Sequence, residues 1–149
     1  MTRSSISGLT KEAVQRAFGC LQARKTELGL ARELDTSDLH VEVIDLLGNR
    51  VEAELGIAFF VAAFSALRRA PVAPALLVFG DLSIQGNIKA VSSLSVPLRM
   101  GMDNGAKRAL LPIENKRSFL EVSADIVERV DPVFFGDPKT AAFKALGLI

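Results

Sequence analysis

The sequence has one cysteine, Cys20, and one histidine, His40. A thiol and an imidazole of this kind could supply a nucleophile and its base. A cysteine thiolate beside a histidine is a common arrangement for nucleophilic catalysis, whereas a histidine-rich metal site needs more than one histidine. Cys20 falls within a predicted helix, where we interpret it as a small core side chain. His40 falls in a predicted strand, and we interpret it as an ordinary strand histidine. One cysteine excludes an intrachain disulfide and fits a reducing compartment.

The elements that position these residues follow from hydrophobic periodicity. Apolar residues recur at helical spacing over residues 10–27, which predicts a first helix, and the polar run 33–38 predicts its break. Apolar and polar residues alternate over residues 39–45, which predicts a strand with one covered face. A glycine turn at 48–50 then precedes a long apolar run.

The apolar run from Leu55 to Leu67 is 13 residues long. A membrane span needs about 20 residues, so the run predicts a helix buried on nearly all faces. Asn49 and Glu52 resemble a capping box at its start, and prolines follow its end. No targeting segment is visible in the polar residues 1–9, and we expect a cytoplasmic protein with no membrane contact.

The rest of the chain alternates strands and helices, and its charge is balanced. Eighteen basic and seventeen acidic residues give a net charge of +1, so no strong field points to nucleic acid or a membrane surface. The sequence predicts a mixed α/β fold in a single domain without repeats. The predicted elements are a strand at 75–79, a hairpin within 81–91 turning at 85–87, a helix at 93–104, a strand at 108–111, a short helix capped by Asn115, a strand at 126–130, and a last helix opened by Asp137 and Pro138.

Several segments from residue 38 onward resemble the proteolytic domain of Lon-type ATP-dependent proteases. Residues 80–88, Gly-Asp-Leu-Ser-Ile-Gln-Gly-Asn-Ile, are similar to the Lon pattern Gly-Glu-hydrophobic-Thr-Leu-x-Gly-x-hydrophobic. Residues 105–115 resemble the Lon segment that ends in Ile-Pro-Lys-Glu-Asn. The resemblance implies the Lon proteolytic-domain fold, which is ribosomal protein S5 domain 2-like. It divides the chain into an N-terminal helical segment, 1–36, and a Lon-like part, 37–149.

One branch of that family is more similar still. Residues 79–89, 114–120 and 128–132 resemble the Lon-like protein of BREX phage-defence systems, which joins an AAA+ ATPase module to a Lon-like C-terminal domain. The resemblance implies a homo-oligomeric ring, hexameric in the family, with ATP and Mg²⁺ as partners of the full-length protein and DNA as a candidate partner. This sequence has no G-x-x-x-x-G-K-[ST] loop, so we expect no cofactor site in it and an ATPase module outside it.

The two catalytic positions of the family are replaced. Lon-type enzymes carry their serine in Asp-Gly-Pro-Ser-Ala-Gly, and in the matching segment, 51–56, Glu54 takes its place. They carry their lysine in Gly-Gly-Leu-Lys, and in the matching segment, 92–95, Ser95 takes its place. A Ser–Lys pair needs a hydroxyl beside a desolvated amine that can accept its proton. We therefore predict a non-catalytic, structural Lon-like domain with no catalytic, cofactor or metal residues.

Two alternatives stay open at this stage. A relocated dyad could use Lys89 with Ser92 or Ser93, although serines before a helix commonly serve as caps. A DNA-binding role could use three basic pairs, although helix ends and solvated faces also explain them. These pairs are Arg68–Arg69, Lys107–Arg108 and Lys116–Arg117.

Overall fold

A computed structural model of the chain describes residues 8–43 and 54–149. The helices are α1 (Gly8–Ala23), α2 (Ala31–Thr36), α3 (Gly56–Arg68), α4 (Ser95–Asp103), α5 (Lys116–Leu120), α6 (Ala124–Val127) and α7 (Pro138–Ala145), with a 3-10 turn at Ile113–Asn115. The strands are β1 (Leu76–Val78), β2 (Asp81–Leu82), β3 (Ile88–Lys89), β4 (Arg108–Pro112) and β5 (Asp131–Phe135). Within these two ranges, no helix combines the length and the hydropathy that crossing a bilayer requires.

A three-stranded parallel sheet forms the centre of the fold, in the order β1-β4-β5. Strands β2 and β3 form a separate antiparallel hairpin. Successive side chains of a strand point to opposite faces, and β4 shows this directly. Leu110 packs in one core cluster, whereas Ala109 and Leu111 pack in a second. The first cluster holds side chains of α1, α2, α3 and α7, and the second those of α4, α5 and α6. This arrangement confirms the predicted mixed α/β fold.

Helix α3 is the most buried helix of the first cluster. Its seven buried residues include three large side chains that are fully enclosed, Ile57, Phe60 and Phe64. Burying each such side chain contributes about 1.5–3 kcal/mol. The predicted helix over the Leu55–Leu67 run is confirmed, but the prediction that nearly all of its faces are buried is wrong for the described residues, since seven of its 13 residues are buried and the face with Ala62 and Ala66 is exposed.

The N-terminal part differs from the prediction in two places. Helix α1 ends at Ala23, and part of the polar run 33–38 is helical, as α2. The reason is that Leu30 and Leu34, one helical turn apart, are both buried in the first core cluster. Residues 39–43 belong to no helix or strand, and only the Leu39 side chain packs against the core. The rest of the predicted strand and the Asn49–Glu52 cap lie outside the described residues.

The predicted strand at 126–130 is wrong. Residues 124–127 form α6, and the strand begins at Asp131, which pairs with Arg108 of β4. Ile126 and Val130 are buried four residues apart in the second core cluster, a spacing that suits a helical turn. Pro132 lies within β5, which is an edge strand and can accommodate a residue without an N–H.

The first residue of α3 touches strand β2 too closely for any side chain. A Cβ on Gly56 would collide with the Asp81 carboxylate and would lie 2.7 Å from Leu82 Cδ2 and 3.0 Å from the Leu82 backbone nitrogen. The Ile57 N–H donates to the Gly80 carbonyl at 3.1 Å, so the backbones are fixed to each other here. Glycine at 56 is therefore required by space rather than by backbone conformation.

We expect Gly56→Ala to lower the free energy of unfolding by about 1–3 kcal/mol, the usual cost of overpacking. Gly19→Ala is the matched control, since a Cβ there would meet only Ile84 Cγ2, at an ordinary 3.5 Å. Alanine should be neutral or stabilising in the middle of α1, because it is a better helix former. Urea unfolding of both variants checks this; equal stabilities would contradict the close contact.

Candidate functional site

Glu54 lies two residues before α3 and adopts a left-handed backbone conformation, with φ at 75°. Its side chain is half-buried, and its Oε1 accepts a hydrogen bond of 3.1 Å from the Ser92 backbone N–H. Ser92 opens the segment that matches the lysine-bearing segment of Lon-type enzymes. The structure therefore brings Glu54 into direct contact with the first residue of segment 92–95.

The segment before α4 is held a second time, by Asn115. This side chain is 3% exposed. Its Oδ1 accepts from the Val91 N–H at 2.9 Å, and its Nδ2 donates to the Val91 carbonyl at 3.0 Å and to Ser118 Oγ at 3.1 Å. Asn115 occupies the N-cap position of α5, as predicted, but its side chain makes no capping hydrogen bond and binds instead both backbone groups of a residue 24 positions away.

Ser95, which the resemblance aligns with the family's lysine, is the first residue of α4 and is exposed. Leu94 and Leu98 on either side of it are buried in the second core cluster and fix this end of the helix. Lys89 and Ser93 of the alternative dyad are also exposed, and Lys89 pairs with Asp81 in the hairpin register. The amine of Lys89 therefore lacks the burial that makes a lysine a base.

The cysteine and the histidine occupy different environments. Cys20 is fully buried in the first core cluster, as predicted. Burial raises the pKa of the Cys20 thiol, and the neighbouring Arg24 offsets this only in part. A raised pKa keeps a thiol protonated at neutral pH, and the protonated thiol is not the nucleophile. His40 is exposed on residues 39–43, so the two do not form an enclosed catalytic pair.

An ion pair that the sequence did not indicate joins α1 to strand β2, next to the start of α3. Arg16 of α1 donates from Nη2 to both carboxylate oxygens of Asp81, at 3.0 and 3.2 Å, and from Nε to the Leu82 carbonyl at 3.0 Å. Asp81 is only 7% exposed, and its Oδ1 also accepts from the Leu82 N–H. A buried carboxylate needs such partners. In the sequence, only the acidic residue after Gly80 could have indicated this ion pair. Its partner Arg16 lies 65 residues away and could not be predicted from spacing.

Across residues 8–43 and 54–149, no three His, Cys, Asp or Glu side chains are grouped closely enough to hold a metal ion.

Comparison with known proteins identifies the family. Residues 2–140 match the model described as Lon protease (S16) C-terminal proteolytic domain, so the chain belongs to the Lon protease proteolytic-domain family. The match runs through the N-terminal segment, 1–36, as well. Within this family the chain is similar to the Lon-like protease BrxL of Escherichia coli O9:H4 (strain HS), at 28% identity over 151 aligned positions and 98% of this chain.

Two further relatives give the same result. The Lon-like protease BrxL of Bacillus cereus (strain H3081.97) is 30% identical over 93% of this chain, and the Lon protease of Escherichia coli (strain K12) is 27% identical over 85%. The resemblance to the BREX branch is therefore confirmed. The chain spans 22% and 20% of the length of the two BrxL relatives and 16% of the Lon protease.

We expect Asn115→Ala to destabilise the fold by about 2–4 kcal/mol, because it leaves the Val91 N–H and carbonyl without partners in a buried place. Asn104→Ala is the matched control: the Asn104 amide is exposed and donates only to the Met100 carbonyl, at 2.7 Å. Its loss should cost about 0.5 kcal/mol or less. Chemical unfolding of the two variants gives the comparison, and similar losses would show that Asn115 does not hold this segment.

Proposed function

We propose that this chain is a non-catalytic Lon-like domain that serves the assembly of a larger protein. The observation that carries the proposal is the environment of position 54. Glu54, which the resemblance aligns with the family's serine, carries a carboxylate that accepts a hydrogen bond from the Ser92 backbone N–H within the chain. Ser95, at the position of the lysine, offers an exposed hydroxyl.

The chemistry of peptide hydrolysis supports this proposal. Acyl transfer in this class needs a hydroxyl nucleophile and an amine that can take up its proton. Glu54 has no hydroxyl, and the hydroxyl of Ser95 has no useful basicity near neutral pH. The relocated pair is disfavoured by the solvent exposure of Lys89, since the amine of a Ser–Lys pair needs to be desolvated.

The larger protein that we propose is an AAA+ ring of the BREX type, acting in phage restriction in the cytoplasm. The similarity to two BrxL relatives, and the small share of their length that this chain covers, support a module of a longer chain. In that protein the ATPase module would bind ATP and Mg²⁺, and the Lon-like domain would contribute packing between subunits of a hexameric or larger ring.

A DNA-binding role for this domain has less support. One member of each basic pair is engaged with the protein: Arg68 lies over the rings of Phe64 and Phe143, Arg108 pairs with Asp131 at 3.4 Å, and Lys116 lies over Phe134. Phosphate binding needs several free cations on one surface. A mobility shift with DNA that weakens steeply with salt would favour this alternative.

We expect the purified chain to cleave neither casein nor fluorogenic peptides above the rate of a buffer blank, because it lacks the dyad. An active Lon-type protease in the same assay provides the positive control. The variants Ser92→Ala, Ser93→Ala and Lys89→Ala should behave as the unmodified chain does.

Cleavage by the unmodified chain that disappears in any of these three variants would contradict the proposal. That result would establish the relocated dyad in its place.

A further inference from the structure

The backbone at Glu54 is in a conformation that a side chain disfavours. Three residues other than glycine have a positive φ in the parts of the chain that the structure describes, namely Glu54, Arg69 and Ala75. Arg69 ends α3, where a left-handed residue is common, and its N–H donates to the Ala66 carbonyl. The Ala75 carbonyl accepts from two backbone N–H groups, those of Lys107 and Arg108. Each of these two has a backbone reason for its conformation.

At Glu54 the contact that the structure describes is made by the side chain. The half-buried carboxylate reaches the Ser92 N–H, 38 residues away in the sequence. A hydrogen bond to an ionised acceptor is stronger than one between neutral groups. The conformational cost at position 54 is therefore offset by a contact that glycine, the residue best suited to this backbone, could not make.

The contact at Ser92 is one half of a pair. Asn115 holds both backbone groups of Val91, and Glu54 holds the N–H of the next residue. Two side chains from different parts of the chain thus fix two consecutive residues, just before α4 begins at Ser95. Asn115 is buried at the end of the 3-10 turn after β4, whereas Ser92 is exposed and receives its contact from Glu54, two residues before α3.

We infer that Glu54 is a positioning residue whose carboxylate ties the start of α3 to the segment before α4. This tie, the Glu54–Ser92 hydrogen bond, joins the residue that the resemblance aligns with the family's serine to the first residue of segment 92–95, which aligns with the lysine-bearing segment. The residue that replaces the nucleophile thereby also fixes the backbone of segment 92–95 at its first residue. The inference rests on the proposed function only in taking position 54 as a former nucleophile position.

Amide hydrogen exchange, measured by NMR on the ¹⁵N-labelled chain, tests the tie. In the unmodified chain the Ser92 N–H should exchange more slowly than the same amide does in an unstructured peptide. Glu54→Ala keeps the Cβ and removes the carboxylate, so Ser92 should exchange about tenfold faster while Val91 stays unchanged. Glu54→Gln should retain most of the protection, since its Oε1 still accepts.

Glu54→Gly distinguishes the effect of the missing carboxylate from the effect of the left-handed backbone conformation. Glycine adopts the left-handed conformation without strain, yet this variant should speed exchange of the Ser92 amide as much as Glu54→Ala does. Exchange of Ser92 in the unmodified chain at the unprotected rate would overturn the inference, even if no variant folds. Equal exchange in the unmodified chain and Glu54→Ala would also overturn it, as would failure of Glu54→Gln to retain protection.

The two proposals fail separately. Peptidase activity of the unmodified chain would overturn the proposed function, whereas slow exchange of the Ser92 amide in the same chain would still support the tie. Rapid exchange at Ser92 without peptidase activity would overturn the tie alone.

Discussion

The contact between the start of α3 and strand β2 is the constraint on which the rest of the structure depends. It admits no side chain at Gly56, it includes a backbone hydrogen bond from Ile57 to Gly80, and it sets the Asp81 carboxylate against α3. Arg16 neutralises that carboxylate from α1. Because the direction of α3 is fixed here, the residue two positions earlier, Glu54, is held facing the segment before α4.

Close packing and buried polar contacts hold this framework together, and these contacts do not require a catalytic dyad. Asn115 binds Val91 through a carboxamide that is almost wholly enclosed, and the β4 side chains alternate between two core clusters. Leaving such buried groups unpartnered costs more than the contacts themselves contribute, which makes the arrangement hard to lose. A family's fold can therefore persist after its reacting groups are replaced, because fold and chemistry rest on different residues.

The parts of the fold that the sequence predicts are those with a local cause. The apolar run predicts α3, the Gln-Gly-Asn turn predicts the hairpin, and Asp137 caps α7 by accepting from the Thr140 N–H at 2.8 Å. The errors occur where tertiary contacts decide. Helix α2 forms because Leu30 and Leu34 reach the core, and residues 126–130 turn helically to bury Ile126 and Val130. At the site, resemblance indicates positions 54 and 95, but no local pattern predicts that Asn115 and Glu54 bind consecutive residues.

We propose above all that a Lon-type framework remains in this chain without an activated serine. Incubation with a fluorophosphonate probe, followed by intact mass spectrometry, tests this most directly, since an activated serine forms a stable adduct whether or not a suitable peptide substrate is known. We expect an unmodified mass under conditions that fully label an active Lon-type protease. A single adduct on any serine of the folded chain, absent after denaturation, would contradict it.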